Sequence, residues 1–397
     1  MILILADDFS GAAELAGVAA QAGWSATVQS SLVIKSHSDV VAIDTKSRGI
    51  SAAEAIHRVR SAYQATKDLP LRWSFKKTDS VLRGHVREEF VALAKVAGKN
   101  RILFIPANPG KGRIISGGIY LIDNRPLHET AFAQDPDFPR DTSSVTEIIG
   151  NDPNLPTRTI LTTEPIPPRG LLIPDVQSAA DIANRIEEID DSTLCGGAAE
   201  FFATLLARDT HPPSRATPIP RRPNPAPKTR LFICGSLAAW QNAISDDAES
   251  HHIPLFTFQS TATWIENAIN ALNTSQQCLL AIGQPDTDKH SSVPKRDSLS
   301  LLAHLAETAV SVIRKARPEE ICLEGGATAT AILDKFSWTH FEALPSESPE
   351  AGCLRPRSGT YRPLLFVKPG SYPWPETVWH RFPGQKPTLF PRLDEPN

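Results

Sequence analysis

The sequence holds one methionine and five cysteines in 397 residues, and none of its apolar runs approaches the roughly 18 residues that a membrane-crossing helix requires. It therefore offers no helical membrane span. The cysteines, Cys195, Cys234, Cys278, Cys322 and Cys353, are scattered and odd in number, and no pair has metal-ligand spacing. They are expected to be reduced, buried thiols of a cytoplasmic protein and not a disulfide framework. Neither sign of charge dominates: Lys+Arg 41 against Asp+Glu 44 leaves a formal charge of −3, so no basic field recruits nucleic acid. The opening MILILADDFSGAAELAG lacks a basic segment and soon meets acids, so it is not expected to act as a signal peptide. Walker GxxxxGK[ST], GxGxxG and HExxH patterns are all missing, which disfavours a P-loop NTPase, a standard dinucleotide site and a zinc protease. No histidine pair has ligand spacing either, so no metal-ligating residue is assigned.

Proline, at 34 residues, is in excess. Seven prolines fall between Pro212 and Pro227, in HPPSRATPIPRRPNPAPK. Proline fixes φ and lacks a backbone donor, so this stretch cannot be a helix or an inner strand and reads as a linker over 211–228. It divides the chain into domains at 1–210 and 229–397, each of ordinary domain size. In both parts short β-rich runs alternate with helical patterns. ILIL, VVAID, WSF, RILFI and LLIPD alternate with helices in the first; RLFIC, PLFTF, CLLAI, EICLE and LLFV do so in the second. SAAE at 51–54 has the form of a capping box, and Gly98 is placed as a helix stop. The expected fold is α/β, with two domains that each carry a mostly parallel sheet flanked by helices. The segment 107–170, rich in Pro, Gly and Asp, has little periodicity and is expected to form an excursion over the first domain.

In open α/β sheets ligands bind beyond the carboxyl ends of the strands, and the unusual residues of this chain cluster there. Asp7 and Asp8 follow the first strand, then Ser10-Gly11 and a helix. Two acids at such a turn can act as a general base, a metal ligand or a charge complement to the helix N-terminus, and the residues leave these roles open. Thr45 to Arg48 follow VVAID, KKTDSVLRG at 76–84 follows WSF, and Pro106 to Arg113 follow RILFI. Arginine forks match carboxylates and phosphates, and hydroxyls match a polyol, so these ends point to a polyhydroxylated, anionic small molecule. His85 and His128 lie near these loops. In the second domain glycines take the equivalent places: Gly235-Ser236, Gly283, Gly325-Gly326-Ala327-Thr328 and Gly370. Glycine at a strand-to-helix turn lets backbone amides approach phosphate oxygens, although turns also need glycine for themselves.

These motifs resemble, in order along almost the whole chain, those of the four-carbon acid sugar kinases. ADDFSGA at 6–12, DTKSR at 44–48 and KKTDSVLRG at 76–84 resemble the family's first-half motifs, the last most specifically. PANPGKGRIISGGIYLIDNRPLHETAFAQDPDFP at 106–139 resembles its long loop ending in a Thr…Asp-Pro element. Gly235-Ser236 with Gln241, GGATA at 325–329 and KPGSYP at 368–373 resemble its second-half motifs. The resemblance implies an N-terminal domain that binds a sugar acid, a C-terminal domain that binds ATP, and an active site in the cleft between them. It implies transfer of the γ-phosphoryl group, with Mg²⁺, to a hydroxyl of a tetronate or 3-oxo-tetronate.

Carried over residue by residue, Asp7 and Asp8 are the candidate catalytic acids, with no choice between them as base. Arg48, Lys77, Asp79 and Arg83 match the sugar-acid side; Ser236, Gly325, Gly326, Ala327, Thr328 and Gly370 match the nucleotide side. The expected partners are the sugar acid, ATP and a second copy of the chain in a homodimer. Ala327 stands where the family's motif has an acid, and Pro373 takes the last glycine position of the final motif. These departures motivate the alternative of a degenerate kinase that binds a sugar acid without transferring phosphate. A different small-acid enzyme would need a Schiff-base lysine or a metal site, and the sequence marks neither.

Overall fold

The computed structural model describes the chain apart from residues 32–33, 35–37, 136–137, 210–228, 236–254, 258–261, 283–294, 347–350, 371, 373, 376–377 and 379–397. The expected linker, and with it Ser236, Gln241, Gly283 and Pro373, lies outside the described residues. The chain divides into two units, Met1–Pro218 with His340–Pro345 and Ile219–Thr339 with Ser346–Asn397.

The strands of the first unit are β1 (Ile2–Ala6), β2 (Ala26–Gln29), β3 (Val40–Asp44), β4 (Trp73–Lys77), β5 (Arg101–Ile105), β6 (Arg113–Ser116), β7 (Ile119–Ile122), β8 (Arg125–Pro126), β9 (Thr157–Ile160), β10 (Gly170–Pro174) and β11 (Thr193–Gly197). Those that follow in the chain are β12 (Arg230–Cys234), β13 (Leu255–Thr257), β14 (Gln277–Ala281), β15 (Glu320–Glu324), β16 (His340–Leu344), β17 (Gly352–Pro356) and β18 (Leu364–Lys368). In the first unit the sheet order is β16-β2-β3-β1-β4-β11-β5-β10-β9. Every pairing in it is parallel except that of β16 with β2. The strand β16 is the notable departure from a division at residue 229. Its sequence lies well into the second half, yet Phe341 packs edge-on to Phe9, with ring centroids 5.2 Å apart.

The apolar β1 is buried throughout, as an inner strand must be. After it comes α1 (Phe9–Gln21), whose alanines at 12, 13, 16, 19 and 20 are buried. Short side chains let this helix lie close on the sheet. The helix α2 (Ala52–Gln64) is amphipathic and buries only Ala55, Val59 and Ala62. Its Ser51 cap accepts from the Glu54 amide at 3.3 Å, while the Glu54 side chain pairs forward with Arg58 at 3.0 Å, so only half of the expected box forms. The helix α3 (Val86–Ala97) ends on Gly98 in the left-handed conformation, as its sequence predicts.

The excursion at 107–170 is more regular than its composition predicts. β6, β7 and β8 form a separate antiparallel sheet. Asp123 and Asn124, both at positive φ (49° and 63°), make the two-residue turn between β7 and β8. This sheet is tied to the site loop: Tyr120 Oη donates to the Ser80 carbonyl at 2.7 Å, and Arg113 Nη1 donates to the same oxygen at 3.2 Å.

In the second unit the order is β13-β14-β12-β15-β18-β17, parallel except for β17 against β18. All five cysteines are free and buried. No described helix is long and apolar enough to cross a membrane.

Candidate active site

The chain passes from β1 through β2 to β3 on one side of β1, then crosses to β4 on its other side. That reversal is where an open sheet parts its loops and leaves room for a ligand. The carboxyl ends of β3, β1 and β4 thus lie side by side, bearing Asp44 to Arg48, Asp7-Asp8 and Thr78 to Gly84.

Arg48 joins all three ends. Its Nε donates to Asp7 Oδ2 at 2.7 Å, and its Nη1 lies 2.6 Å from Asp8 Oδ2 and 3.4 Å from Asp79 Oδ2. Asp79 in turn accepts from the Val81 and Arg83 amides at 3.0 and 3.2 Å and from Arg83 Nε and Nη2 at 3.0 and 2.8 Å. Arg83 Nη1 continues to Asp135 Oδ2 at 3.2 Å. Gly84 turns the chain at this corner with φ +84°, a conformation that side chains rarely adopt, and its Cα lies beside Arg48. The structure thereby brings Asp7, Asp8, Arg48, Asp79 and Arg83 into one network.

The two adjacent acids differ in their commitments. Asp8 is the N-cap of α1: its Oδ1 accepts from the Gly11 amide at 2.7 Å and its Oδ2 from Ser10 Oγ at 2.9 Å. Asp7 Oδ1 is buried and makes no hydrogen bond among the described residues. Burial alone would raise the Asp7 carboxyl, but the positive charges of Arg48 and Lys76 outweigh it and hold the group below the usual carboxylate range. Asp79 is also buried, and Arg83 and Arg48 hold it well below that range. Burial would depress the Arg48 guanidinium, yet Asp7, Asp8 and Asp79 together raise it.

Lys77 reaches the same corner, but its side chain is only 5% exposed and its ammonium lies 3.0 Å from both Glu14 Oε2 and the Thr78 carbonyl. It packs beneath Gly11, where an added Cβ would meet Lys77 Cγ at 3.1 Å. Lys76 forms a similar buried pair, 2.7 Å from Glu89 Oε2. His85 Nε2 is 2.6 Å from the Ile50 carbonyl, and His128 Nδ1 is 2.7 Å from Ser143 Oγ.

Three residues that motif reading passed over belong to this corner. Asp44 ends β3; its Oδ1 accepts from the Lys46 amide at 2.9 Å, and its Oδ2 is buried without a hydrogen bond among the described residues. Burial, reinforced by Asp8 and Asp7 and opposed by the Lys46 amide and charge, pushes its carboxyl up to about 7. Asp135 lies inside the quoted Asp-Pro element and pairs with Arg83. Arg140 donates from Nε and Nη2 to the Val81 and Leu82 carbonyls at 3.2 and 2.6 Å. Asp44 and Asp135 each had a signal in sequence, the first as the opening residue of DTKSR and the second through its place in the long-loop motif, whereas Arg140 had none.

In the second unit the adjacent strands β12, β15 and β18 end in the glycine turns. Gly325, at φ +90°, caps the helix Gly326–Lys335 and donates its amide to the Lys368 carbonyl at 2.9 Å. Gly235 lies so close to the buried Thr328 that an added Cβ would stand 2.2 Å from its Oγ1. Gly326 is buried, Gly370 is half-buried in the turn after β18, and Ala327 is exposed. The first turn of that helix has no acid and no side-chain cap among the described residues, a composition that suits an anion at its N-terminus. Ala327 presents no oxygen to a metal, and no group of three His, Cys, Asp or Glu suited to a metal occurs among the described residues.

The first unit is thus a mainly parallel α/β sheet whose switch-point strands end in acids, guanidiniums and hydroxyls. Residues 2–194 match the family described as the sugar-binding N-terminal domain. The chain thus resembles a sugar-binding domain over just under half of its length, and its curated relatives are kinases of four-carbon sugar acids. It is 25% identical to a D-threonate kinase of Salmonella typhimurium over 83% of this chain and 85% of that one. It is 32% identical to a D-erythronate kinase of Heliobacterium modesticaldum over 37% and 35% of the two chains, and 29% identical to a 3-oxo-tetronate kinase of Pseudomonas fluorescens over 38% and 37%. In these last two comparisons the chain spans little more than a third of its relative. Among solved structures, a Haemophilus influenzae protein of the DUF1537 family matches with a TM-score of 0.65 at 17% identity, over 94% of this chain and 97% of that one. A Salmonella typhimurium protein described as a putative tRNA synthase matches with a TM-score of 0.70 at 17% identity, over 95% and 97%. At such identities the structural likeness is one of fold.

Proposed function

We propose that this chain is an ATP-dependent kinase that phosphorylates a hydroxyl of a four-carbon sugar acid, a tetronate or 3-oxo-tetronate. The observation that carries the reading is Asp7. One oxygen is fixed by Arg48 while the other is left buried and without a hydrogen bond among the described residues, at the carboxyl end of the central strand. A carboxylate held ionised and aimed in this way orients a substrate hydroxyl and receives its proton. Phosphoryl transfer asks mainly for such positioning and for charge stabilisation. The names of the relatives, which are kinases of D-threonate, D-erythronate and 3-oxo-tetronate, support the same reaction class.

In this reading Asp7 is the catalytic base, and Asp8, as the N-cap, holds the first turn of α1 beside it. Arg48, Asp79 and Arg83 fix the loop that closes over the sugar acid, with Lys77 supporting it from below. Ser236, Gly325, Gly326, Thr328 and Gly370 serve the nucleotide, Gly325 by starting the helix whose uncapped first turn faces the phosphates. ATP supplies the phosphoryl group. The acid of the family's glycine turn is replaced by Ala327, so that turn does not fit a directly held Mg²⁺, and no role is assigned to the ion here. The binder without transfer is not favoured, since the amide-bearing turn persists despite Ala327.

The test is ADP release with ATP-Mg²⁺ against D-threonate, D-erythronate and the 3-oxo-tetronates. Turnover with one acid and not its epimer supports the kinase. No ADP with any acid, together with thermal protection by an acid but none by ATP-Mg²⁺, overturns it.

A further inference from the structure

A kinase for a sugar acid must tell a carboxylate from a hydroxymethyl group, and the cations picked out by the motifs are poorly placed to do so. Arg48 is shared by Asp7, Asp8 and Asp79, and Arg83 by Asp79 and Asp135. Lys76 faces Glu89, and Lys77 faces Glu14. Four carboxylates (Asp7, Asp8, Asp79 and Asp135) thus surround two guanidiniums, and an anionic ligand brought to either arginine meets like charge at close range.

Arg140 is different. Its two hydrogen bonds go to uncharged backbone carbonyls, those of Val81 and Leu82; Asp79, Asp135 and Asp141 act on its charge, but among the described residues no carboxylate lies within ion-pair distance of it. Its Nη1 makes no hydrogen bond there, and the side chain is only half-buried. The carbonyls it grips belong to the loop that carries Asp79 and Arg83, and Gly84 of that loop abuts Arg48. A guanidinium anchored through one edge and open along the other is pre-organised for a carboxylate.

We propose that Arg140 binds the carboxylate of the sugar acid and sets the preference for acids over neutral polyols. The inference rests on the kinase reading only for the class of ligand. Calorimetric titration of the full chain, without nucleotide, with D-threonate, D-erythronate and the neutral tetritols D-threitol and erythritol tests it. The wild type is expected to favour an acid over its tetritol by about tenfold or more, and Arg140→Gln to remove most of that preference while Arg140→Lys keeps part of it. An unchanged ratio in Arg140→Gln, or a wild type that binds no acid better than its tetritol, overturns the proposal. Should Arg140→Gln not fold, a crystal structure of the wild type with the preferred acid decides the matter: a carboxylate on Arg140 upholds the assignment, and one seated elsewhere overturns it. Acid binding without ADP release would defeat the kinase reading and leave Arg140 standing; ADP release with an unchanged ratio would do the reverse.

Discussion

Arg48 Nε donates to Asp7 Oδ2 at 2.7 Å, and the second oxygen of Asp7 is left buried with no hydrogen bond among the described residues. The neighbouring Asp8 has no such spare oxygen, since both are engaged by Ser10, Gly11 and Arg48. The two substitutions are therefore expected to part company. Asp7→Asn should lower kcat by about 10²- to 10⁴-fold, the range of general-base removal, with KM for the sugar acid changed only a few fold. Asp8→Asn keeps a good N-cap and should cost less than tenfold in kcat, whereas Asp8→Ala should lose about 1 kcal/mol of stability. Steady-state ADP release and thermal melts on the three variants check this; equal losses in both Asn variants would remove the distinction.

Asp44 makes stability depend on pH near neutrality. Its carboxyl, ordinarily at 3.8, is pushed up to about 7 by burial, with Asp8 and Asp7 adding to the rise and Lys46 opposing it. The folded chain therefore holds a proton that the unfolded chain has released between these values. Stability from this group is complete below about 4 and is lost as pH climbs to about 7. Asp7 and Asp79 are shifted downward and act in the opposite sense, only at acid pH. Asp44→Asn retains the acceptor for the Lys46 amide and removes the titration. Its melting temperature should exceed that of the wild type by roughly 5 °C at pH 8, and the gap should close toward pH 4. Parallel melting curves across that range would refute the assignment.

Much of this arrangement is legible in the sequence. Apolar β-rich runs ending in acids or cations predict β1, β3 and β4 and the three loops at their carboxyl ends, because inner strands must be apolar and ligand-facing ends need not be. The short β6, β7 and β8 escape notice because two to four residues show no periodicity. β11 escapes because Thr193–Gly197, a short run ending in two glycines, reads as a break between helices although it is buried between β4 and β5. β16 is hidden for another reason: nothing local in HFEAL announces an antiparallel partner some 300 residues away. Asp44 reads as an ordinary strand end until its burial is known. Arg140 follows a proline in a loop without pattern, and only its grip on Val81 and Leu82 gives it meaning.

Gly84 offers a backbone test of the same corner. At φ +84°, a side chain there is strained whatever the space, by about 1–2 kcal/mol. The added methyl carbon would also stand 3.4 Å from Arg48 Cγ and 3.7 Å from Asp7 Oδ2. Gly84→Ala should lower the free energy of unfolding by about that amount and reduce kcat as the strained loop shifts beside Arg48. Gly49→Ala, in the same neighbourhood but with nothing within 4 Å of the added carbon, is the control and should do neither. Similar behaviour of the two variants would show that the corner tolerates what its geometry forbids.

Lys368 ties together the two glycine turns of the second unit. Its carbonyl accepts from the Gly325 amide at 2.9 Å, while its buried ammonium lies 3.1 Å from Glu324 Oε1 and donates to the Pro369 and Tyr372 carbonyls at 3.2 and 2.6 Å. Burial lowers its proton affinity, and Glu324 opposes that shift. Lys368→Met takes a buried ammonium away from the Glu324 carboxylate and should cost about 3–5 kcal/mol, while adding Glu324→Leu should restore most of the loss. Stability and function are then expected to separate. The backbone bond to Gly325 survives both changes, but the Pro369 and Tyr372 carbonyls lose the ammonium in both. KM for ATP should therefore stay raised in the stable double variant, with KM for the sugar acid unchanged. Urea unfolding and two-substrate kinetics on the single and double variants measure both quantities. A double variant that regains wild-type ATP affinity along with its stability would reduce Lys368 to a packing residue.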